Sequence, residues 1–348
     1  MTAGPTQSAL QGAITKLAHH QDLSASDAAD AFGVIMRGEA SAVQIAAMLA
    51  ALRVRGETAA IVAGVVRALR EVMVRLPADD SDSLVDTCGT GGGSVQTFNI
   101  STAAALLAAG AGVRVAKHGN RSFTSRCGSA DVLEALGVAI DAPIETMTAA
   151  LNHAGIVFMY APLMHPAMRH VGPIRRELAI PTVMNIVGPL ANPAGATRQV
   201  VGVADSYRVP ILAGALSELG AQHALVVHGE PGLDEISPLG LTRVVEIRGD
   251  ESREWILDPA AYGLSTTDPS ELAGGDPPDN ARIIETVLAG KGSRGATAAV
   301  ILNAAAAIYV SGKGGSYADS VAAATAALQQ QKGLAALGKL RAAYSAAS

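Results

Sequence analysis

The stretch LVDTCGTGGGSVQTFNIST, residues 84–102, joins a short β-rich run to a cluster of glycines and then to a polar segment. Residues 84–88 predict a strand, and a helix is expected to begin at Ser101 or Thr102. Four of the five residues 89–93 are glycines, which adopt positive φ and let backbone N–H groups line an anion. Because ligands gather beyond the carboxyl ends of strands in open α/β sheets, this segment predicts a phosphate site. A tight structural turn capped by Ser or Thr is the alternative.

The chain after residue 84 alternates β-rich runs with Ala- and Leu-rich segments of helical length. The further runs are VRVA (113–116), GIVFMYA (155–161), RQVVGVA (198–204) and HALVVHG (223–229). This alternation predicts an α/β fold with a central, mostly parallel sheet and helices on both faces. The tail from Asn280 is expected to be helical, with loops at 290–295 and 310–316.

Residues 7–76 have the apolar spacing of helices throughout. Ser41 to Gln44 fits a capping box, and Gly38 and Gly56 stand where helices should end. The stretch PADDSDS, residues 77–83, predicts a linker that acts as a hinge. We therefore expect a helical domain over 1–76 and an α/β domain over 84–348.

Composition and charge exclude several classes of protein. Hydrophobic residues make up 49% of the 348 residues but aromatic residues only 3%, which predicts a core of Ala, Val, Leu and Ile on closely approaching helices. A net charge of −5 without a long basic cluster argues against nucleic acid as a partner. No signal peptide or long apolar span is evident, so we expect a cytoplasmic protein without a membrane partner. Cys88 and Cys127 are expected to be small buried residues.

A second loop with the character of an anion site, AKHGNRSFTSRCGSAD (116–131), follows the run VRVA. Its cations and hydroxyls suit a polyphosphate, since Lys and Arg supply charge and hydroxyls fix orientation. These residues are Lys117, Arg121, Arg126, Ser122, Ser125 and Ser129. A solvated basic loop is the alternative. The glycine loop fits neither a Walker A motif, which needs a Lys after Gly93, nor a dinucleotide fingerprint, which needs Gly at Ser94.

Two further segments carry candidate chemistry. In HGEPGLDEISP (228–238), Asp234 and Glu235 supply the hard oxygen ligands that hold Mg²⁺ against substrate phosphates. In the segment 160–193, apolar and aromatic residues stand beside arginines, which suits a flat, anionic organic acid. The arginines are Arg169, Arg175 and Arg176, whereas His165 and His170 are interpreted as surface groups or satisfied core residues.

Taken in order, five motifs resemble those of the anthranilate phosphoribosyltransferases, and the likeness covers nearly the whole chain. The motifs are GTGG (89–92) with TFNIST (97–102), KHGNRS (117–122) with GSAD (128–131), MHPAMRHVGPIRREL (164–178), NIVGPLANP (185–193) and GLDEIS (232–237). The resemblance implies a small helical domain, joined in space by helices from about 163–185, and a larger α/β domain of the nucleoside phosphorylase and phosphoribosyltransferase type. It also implies a homodimer that forms through the helical part.

The reaction that the resemblance implies moves the phosphoribosyl group of 5-phosphoribosyl 1-pyrophosphate to the amine of anthranilate and releases pyrophosphate. This is the second step of tryptophan biosynthesis from chorismate. Two Mg²⁺ ions are implied as cofactors, one of them bridging to pyrophosphate, with Ser101, Asp234 and Glu235 as ligands. Lys117 and Arg175 take the catalytic roles.

The resemblance also assigns the substrate contacts residue by residue. Phosphoribosyl pyrophosphate would meet Gly89, Gly92, Gly93, Thr97, Asn99, Ile100, Ser101, Thr102, Lys117, Ser125 and Ser129. Anthranilate would meet Gly89, Asn120, Arg175, His118, Tyr160, Met168 and Gly188. One departure concerns Gly93, which stands where the glycine loop of the family usually ends in aspartate. We expect this change to weaken pyrophosphate binding or to loosen the loop.

Two rival functions remain open at the level of the sequence. A pyrimidine nucleoside phosphorylase has a similar architecture, and SFTSRCGSAD (122–131) faintly resembles its motif, but Asp234 and Glu235 favour a pyrophosphate donor bound with Mg²⁺. A non-catalytic nucleic-acid binder on the same fold would need a basic groove, which the net charge of −5 disfavours.

Overall fold

A seven-stranded sheet organises the part of the chain that the computed structural model describes, residues 5–122 and 126–345. Its strands run in the order β3-β2-β1-β4-β5-β6-β7. They are β1 (Leu84–Gly89), β2 (Arg114–Gly119), β3 (Ile156–Tyr160), β4 (Arg198–Gly202), β5 (His223–Gly229), β6 (Thr242–Arg248) and β7 (Glu251–Leu257). The pairs among β1 to β5 are parallel, which confirms the predicted sheet.

The last two strands were not predicted from the sequence. β6 and β7 pair antiparallel and form a hairpin that adds to the edge next to β5. All of β7 except Trp255 and Leu257 is exposed, so its sequence ESREWIL lacks the apolar run by which the other strands were recognised.

The strand order reverses direction at β1, which lies between β2 and β4. In parallel sheets such a switch point leaves a crevice outside the carboxyl ends of the strands. Gly89 at the end of β1 is in register with Gly202 at the end of β4. The glycine loop therefore leaves the sheet at the switch point.

Four helices precede the sheet: α1 (Pro5–Ala18), α2 (Ala25–Met36), α3 (Ala42–Arg55) and α4 (Ala59–Val72). Their ends agree with the sequence. At α3 the Ser41 hydroxyl accepts from the N–H of Gln44 at 3.3 Å, and the Gln44 side chain accepts from the N–H of Ser41 at 3.0 Å. Gly56 caps the end of this helix with φ +94°. The predicted capping box is thus confirmed.

The remaining helices follow β1 along the chain. They are α5 (Ile100–Gly110), α6 (Ser129–Ala135), α7 (Ile144–Ala154), α8 (Ala161–Met164), α9 (Gly172–Leu178), α10 (Met184–Val187), α11 (Val209–Glu218), α12 (Pro277–Leu288), α13 (Arg294–Val310), α14 (Tyr317–Gln329) and α15 (Lys332–Ser345). Of these, α5, α7, α11, α13 and α15 pack against the strands. None of the helices in the described ranges is both long and apolar enough to cross a membrane.

Alternating strand residues supply two hydrophobic cores. Leu225 of β5 packs into the core with α5, α7, α13 and α15, whereas its neighbour Val226 packs into the core that contains α1 to α4 and α11. Ala167, Val171 and Val183 belong to the second core as well. The helical bundle therefore shares its core with one face of the sheet, and the predicted hinge at 77–83 stays a prediction.

The helical bundle depends on one close helix contact. At Gly64 of α4, an added Cβ would clash with the carbonyl oxygen of Ala25 and lie 2.8 Å from the Cβ of Ala28. Gly64 is fully buried, so α2 and α4 approach each other at a distance that only glycine permits. This agrees with the expectation of closely approaching helices.

We predict that Gly64→Ala lowers the free energy of unfolding by roughly 1 to 3 kcal/mol, because the overpacked methyl group must push α2 and α4 apart. Urea denaturation followed by circular dichroism measures the change. Gly12→Ala is the matched control, since nothing lies within 4 Å of its Cβ position on α1. Alanine there should leave stability unchanged or raise it by up to about 1 kcal/mol. Equal effects of the two substitutions would contradict the close-contact interpretation.

Candidate active site at the carboxyl edge of the sheet

The glycine loop after β1 is fixed at one end and open in the middle. The Thr90 N–H donates to the carbonyl of Gly202 at 2.9 Å, and the Thr90 hydroxyl accepts from the N–H of Ala204 at 3.2 Å. Gly91 and Gly92 adopt φ values of +70° and +82° with open space around their Cβ positions. The backbone amide of Gly92 is thus accessible to an anion, whereas that of Gly91 donates to the Asp234 carboxylate at 2.8 Å.

The polar residues after the loop belong to the first turn of α5. This helix begins at Ile100, one residue earlier than predicted, and places Ser101 and Thr102 in its first turn. Thr97 and Phe98 pair instead with a distant segment: Thr97 forms a β-bridge with Ala273, and the Phe98 N–H donates to the carbonyl of Leu272 at 3.0 Å.

Lys117 lies at the carboxyl end of β2 and is only 3% exposed. Its ammonium donates to the carbonyl of Thr87 at 2.5 Å and to the hydroxyl of Ser101 at 3.2 Å. Burial lowers the pKa of Lys117, and the charge of Asp86 opposes that shift. This cation is therefore placed beside the first turn of α5 with few protein partners to neutralise it.

Asp86 lies inside the sheet beneath this cation. Burial raises its pKa to about 6, partly offset by Lys117. The Asp86 carboxylate accepts from the side-chain amide of Asn192 at 2.7 Å and from the N–H of His118 at 3.2 Å. Asp86 thus joins β1 to β2 and to the loop that carries Asn192.

The acidic pair after β5 faces the glycine loop. Asp234 accepts from the N–H of Gly91 at 2.8 Å, and Glu235 accepts from the N–H of Ser101 at 3.0 Å. Burial raises the pKa of Asp234, while burial and then the neighbouring Asp234 charge raise that of Glu235 to about 8. The carboxyl of Glu235 therefore holds a proton more readily than an exposed glutamate does until a cation arrives.

Glycines at the ends of two strands allow the acidic segment to lie this close. A Cβ at Gly89 would stand 2.5 Å from the carboxylate of Asp234, and a Cβ at Gly202 would clash with the carbonyl oxygen of Asp234. At Gly93 an added Cβ would lie 3.6 Å from the Asp234 carboxylate. An acidic side chain at position 93 would thus add a second carboxylate beside Asp234. Gly93 does not supply this carboxylate.

The second predicted anion loop has fewer available cations than its sequence suggests. Arg121 pairs with Asp131 and Glu134, both at 2.8 Å, and Arg126 pairs with Asp276 at 2.8 Å. Lys117 is the cation of this loop without a carboxylate in contact among residues 5–122 and 126–345.

The hydroxyls of this loop are placed unequally. Ser129 lies in the first turn of α6 and donates to the carbonyl of Asn120 at 3.3 Å. Ser125 falls outside the described residues.

Two buried histidines, His118 and His165, come from the segments assigned to the organic acid. The rings of His118 and His165 meet edge to face with centroids 4.9 Å apart. Burial lowers the pKa of His118 well below its usual range and that of His165 to about 4, so both rings are neutral. The backbone of Gly188 lies close enough to oppose the shift at His118. His165 is thus a core residue, and His170 packs its ring over Gly38.

The remaining assigned residues are less tightly connected. Tyr160 ends β3 and lies beneath the Arg121 guanidinium, 5.9 Å from ring centroid to Cζ. Met168 is half-buried in the turn before α9, which carries Arg175. Burial lowers the pKa of Arg175, and no carboxylate of the described residues acts on it. No hydrogen bond among those residues joins Arg175 to the loops after the strands.

Several residues that support the site were missed by sequence reasoning. Asn280 donates to the side chain of Asn99 at 2.9 Å, and Asn99 donates to the carbonyl of Cys127 at 3.1 Å. Asn303 binds the backbone of Ile236 beside the acidic pair. The available signal was a lone asparagine within an apolar helix, because buried amides require partners.

Three oxygen-bearing side chains converge beside the glycine loop: Ser101, Asp234 and Glu235. No group of three or more His, Cys, Asp or Glu side chains in the described chain forms a complete metal site. This donor set fits Mg²⁺, which takes one or two carboxylates from the protein and completes its shell with water and substrate phosphates.

Comparison with known proteins agrees with this geometry. Residues 11–73 match the family model described as "Glycosyl transferase family, helical bundle domain", and residues 81–336 match the "Glycosyl transferase family, a/b domain". An anthranilate phosphoribosyltransferase of Rubrobacter xylanophilus is 49% identical over 94% of this chain and 95% of its own length.

Two solved structures show the same fold over their full extent. The anthranilate phosphoribosyltransferase of Thermus thermophilus superimposes with a TM-score of 0.89 at 41% identity, covering 95% of this chain and 99% of that one. The enzyme of Saccharomyces cerevisiae in complex with PRPP and Mg gives 0.87 at 29% identity, covering 98% and 99%. With the two family models and a relative at 49% identity, the chain belongs to the anthranilate phosphoribosyltransferases.

Proposed function

We propose that this protein transfers the phosphoribosyl group of 5-phosphoribosyl 1-pyrophosphate to the amine of anthranilate, the second step of tryptophan biosynthesis from chorismate. One observation supports this most directly. The glycine loop with the open amide of Gly92, the ammonium of Lys117 and the acidic pair Asp234 and Glu235 meet at the carboxyl edge of the sheet. This arrangement suits a polyphosphate bound with a divalent cation.

The phosphoribosyl pyrophosphate site is proposed to include the residues around this edge. They are Gly89, Gly92, Gly93, Thr97, Asn99, Ile100, Ser101, Thr102, Lys117, Ser125 and Ser129. Two Mg²⁺ ions are proposed at Ser101, Asp234 and Glu235. The structure of the S. cerevisiae relative in complex with PRPP and Mg supports the use of this metal. Bound Mg²⁺ supplies neutralisation of phosphate charge.

Departure of pyrophosphate from C1 of the ribose creates negative charge on the leaving group. Lys117 and the amide of Gly92 are placed to stabilise that charge. The anthranilate amine already has a free lone pair, so the protein has to hold it in line behind C1. The C–N bond forms as the C–O bond to pyrophosphate breaks, through an oxocarbenium-like transition state, and the substituted amine then releases its surplus proton to solvent.

No nucleophilic residue is required for this route. The nearest thiol is that of Cys88, and burial raises its pKa well above the usual value. A protonated thiol is a poor nucleophile, so Cys88 suits a packing role.

The anthranilate site is proposed between the loops after β2 and β3 and the segment 164–190. Its contacts are Gly89, Asn120, Arg175, His118, Tyr160, Met168 and Gly188. The Arg175 guanidinium, which has no carboxylate partner in the described chain, would bind the carboxylate of anthranilate. Neutral His118 would pack against the ring without adding charge.

The quaternary arrangement is proposed to be a homodimer formed through the helical part. Val43 and Val54 of α3 are 78% and 88% exposed, although large apolar side chains are usually covered. We also propose domains over 1–76 and 84–348, which close over the two substrates about the segment 77–83.

The reaction is tested by the loss of anthranilate fluorescence when protein, phosphoribosyl pyrophosphate and Mg²⁺ are mixed. We expect a loss that requires all three components and disappears without Mg²⁺. No loss at any Mg²⁺ concentration would contradict the proposal. Phosphate-dependent cleavage of pyrimidine nucleosides would then support the phosphorylase. Salt-sensitive retention on DNA would support the nucleic-acid binder.

Replacing Arg175 tests the anthranilate site. Arg175→Ala should raise the KM for anthranilate by about one to two decades, the effect of losing a charge-assisted contact, and leave the KM for phosphoribosyl pyrophosphate nearly unchanged. Arg176→Ala on the same helix is the control, because Arg176 is exposed and has no assigned contact. An unchanged KM for anthranilate in Arg175→Ala would remove Arg175 from the site.

A further inference from the structure

Asn303 is a buried polar residue on an otherwise apolar helix. It lies near the middle of α13, is 3% exposed, and is flanked by Leu302 and Ala304, which are fully buried. A buried amide without partners is unfavourable, so its hydrogen bonds identify what it holds.

All the polar atoms of the Asn303 side chain are engaged. Its oxygen accepts from the N–H of Ile236 at 2.9 Å. Its amide nitrogen donates to the carbonyl of Ile236 at 2.9 Å and to the carbonyl of Ala299, one turn earlier, at 2.9 Å. Two bonds to the same residue fix both the position and the orientation of its backbone, and the third fixes the amide on α13.

Ile236 directly follows the acidic pair. Its side chain is fully buried, and so is that of Ser237, whose hydroxyl donates to the carbonyl of Glu230 at 2.5 Å. On the other side of the pair, Leu233 is 1% exposed. The segment 233–237 is thus buried at both ends, and the Asn303 side chain hydrogen-bonds to its backbone next to Glu235.

Asn303 also borders the space beneath the site. It lines a cavity of about 10 Å³ together with Glu235, Ser101, Thr87 and Cys88. This volume has room for about one water molecule. A change at Asn303 therefore reaches Glu235 without passing through other side chains.

The carboxyl of Glu235 needs such support because it lies in a poorly solvated place. One backbone N–H, that of Ser101, hydrogen-bonds to it within the described residues. If the backbone at 235–236 shifted, the side chain could turn toward water, where a carboxylate is better solvated.

We propose that Asn303 is a positioning residue that holds Glu235 in the orientation required to bind the divalent cation. The inference rests on the proposed function, because it concerns the affinity of the proposed metal site. Asn303 itself does not contact the metal or the substrates. Its effect passes through the peptide of Ile236.

The test compares Asn303→Ala with Tyr317→Phe. The buried Tyr317 hydroxyl donates to the carbonyl of Leu302 at 2.8 Å, one residue away from Asn303 on the same helix. Removing it takes away a buried hydrogen bond of α13 but leaves the acidic segment untouched. Thermal unfolding of both variants reports the structural effect that they share.

Binding of Mn²⁺ is measured by electron paramagnetic resonance with phosphoribosyl pyrophosphate present and anthranilate absent, so that no turnover is needed. We expect Asn303→Ala to raise the Kd of Mn²⁺ about tenfold, the effect of losing one to two hydrogen bonds, and Tyr317→Phe to leave it within twofold. In the fluorescence assay, Asn303→Ala should need about tenfold more Mg²⁺ for half-maximal rate.

Wild-type Mn²⁺ affinity in Asn303→Ala, with a stability loss similar to that of Tyr317→Phe, would overturn the inference. If the alanine variant does not fold, Asn303→Ser replaces it in the test. The shorter serine hydroxyl cannot hydrogen-bond to both backbone groups of Ile236. Wild-type Mn²⁺ affinity in Asn303→Ser would likewise overturn the inference. Absence of Mn²⁺ binding by the wild-type protein would overturn the proposed metal site and this inference together, whereas a selective loss in the Asn303 variants supports both.

Discussion

Burial of ionisable groups at the carboxyl edge of the sheet is the constraint on which the rest of this structure depends. Lys117 and Asp86 are almost inaccessible to water, whereas Asp234 and Glu235 are half-buried and face the glycine loop. Isolated charges in such a place are unfavourable, and the pKa values move toward the neutral forms. The site is therefore prepared for partners that bring opposite charge, a divalent cation for the acids and a polyanion for the lysine.

Two kinds of residue make this arrangement possible. Glycines at the ends of strands, such as Gly89 and Gly202, let the acidic segment approach the sheet more closely than any side chain would allow. Buried amides then hold the loops at that distance: Asn192 binds Asp86, and Asn303 binds Ile236. The glycines permit the close approach and the amides select one orientation, which preorganises the site before substrates bind.

Local sequence was sufficient to predict the strand, glycine loop and helix of residues 84–102, since turn chemistry and periodicity are properties of neighbouring residues. The family could be predicted as well, because its motifs are contiguous. Contacts between distant segments could not be predicted from local sequence. Arg126, which the sequence suggested as a phosphate ligand, pairs with Asp276. Asn99 accepts a hydrogen bond from Asn280, which lies 181 positions away in the chain. The β6–β7 hairpin was missed because its outer strand is exposed and polar.

Proton release on binding tests the central claim that Glu235 is held neutral until the cation arrives. Isothermal titration of Mg²⁺ and phosphoribosyl pyrophosphate at pH 7, repeated in buffers of different ionisation enthalpy, gives the number of protons exchanged. Since burial raises the pKa of Glu235 to about 8, metal binding should release a proton there, and Glu235→Gln should release correspondingly fewer. Identical proton counts in the wild-type protein and Glu235→Gln would contradict the account.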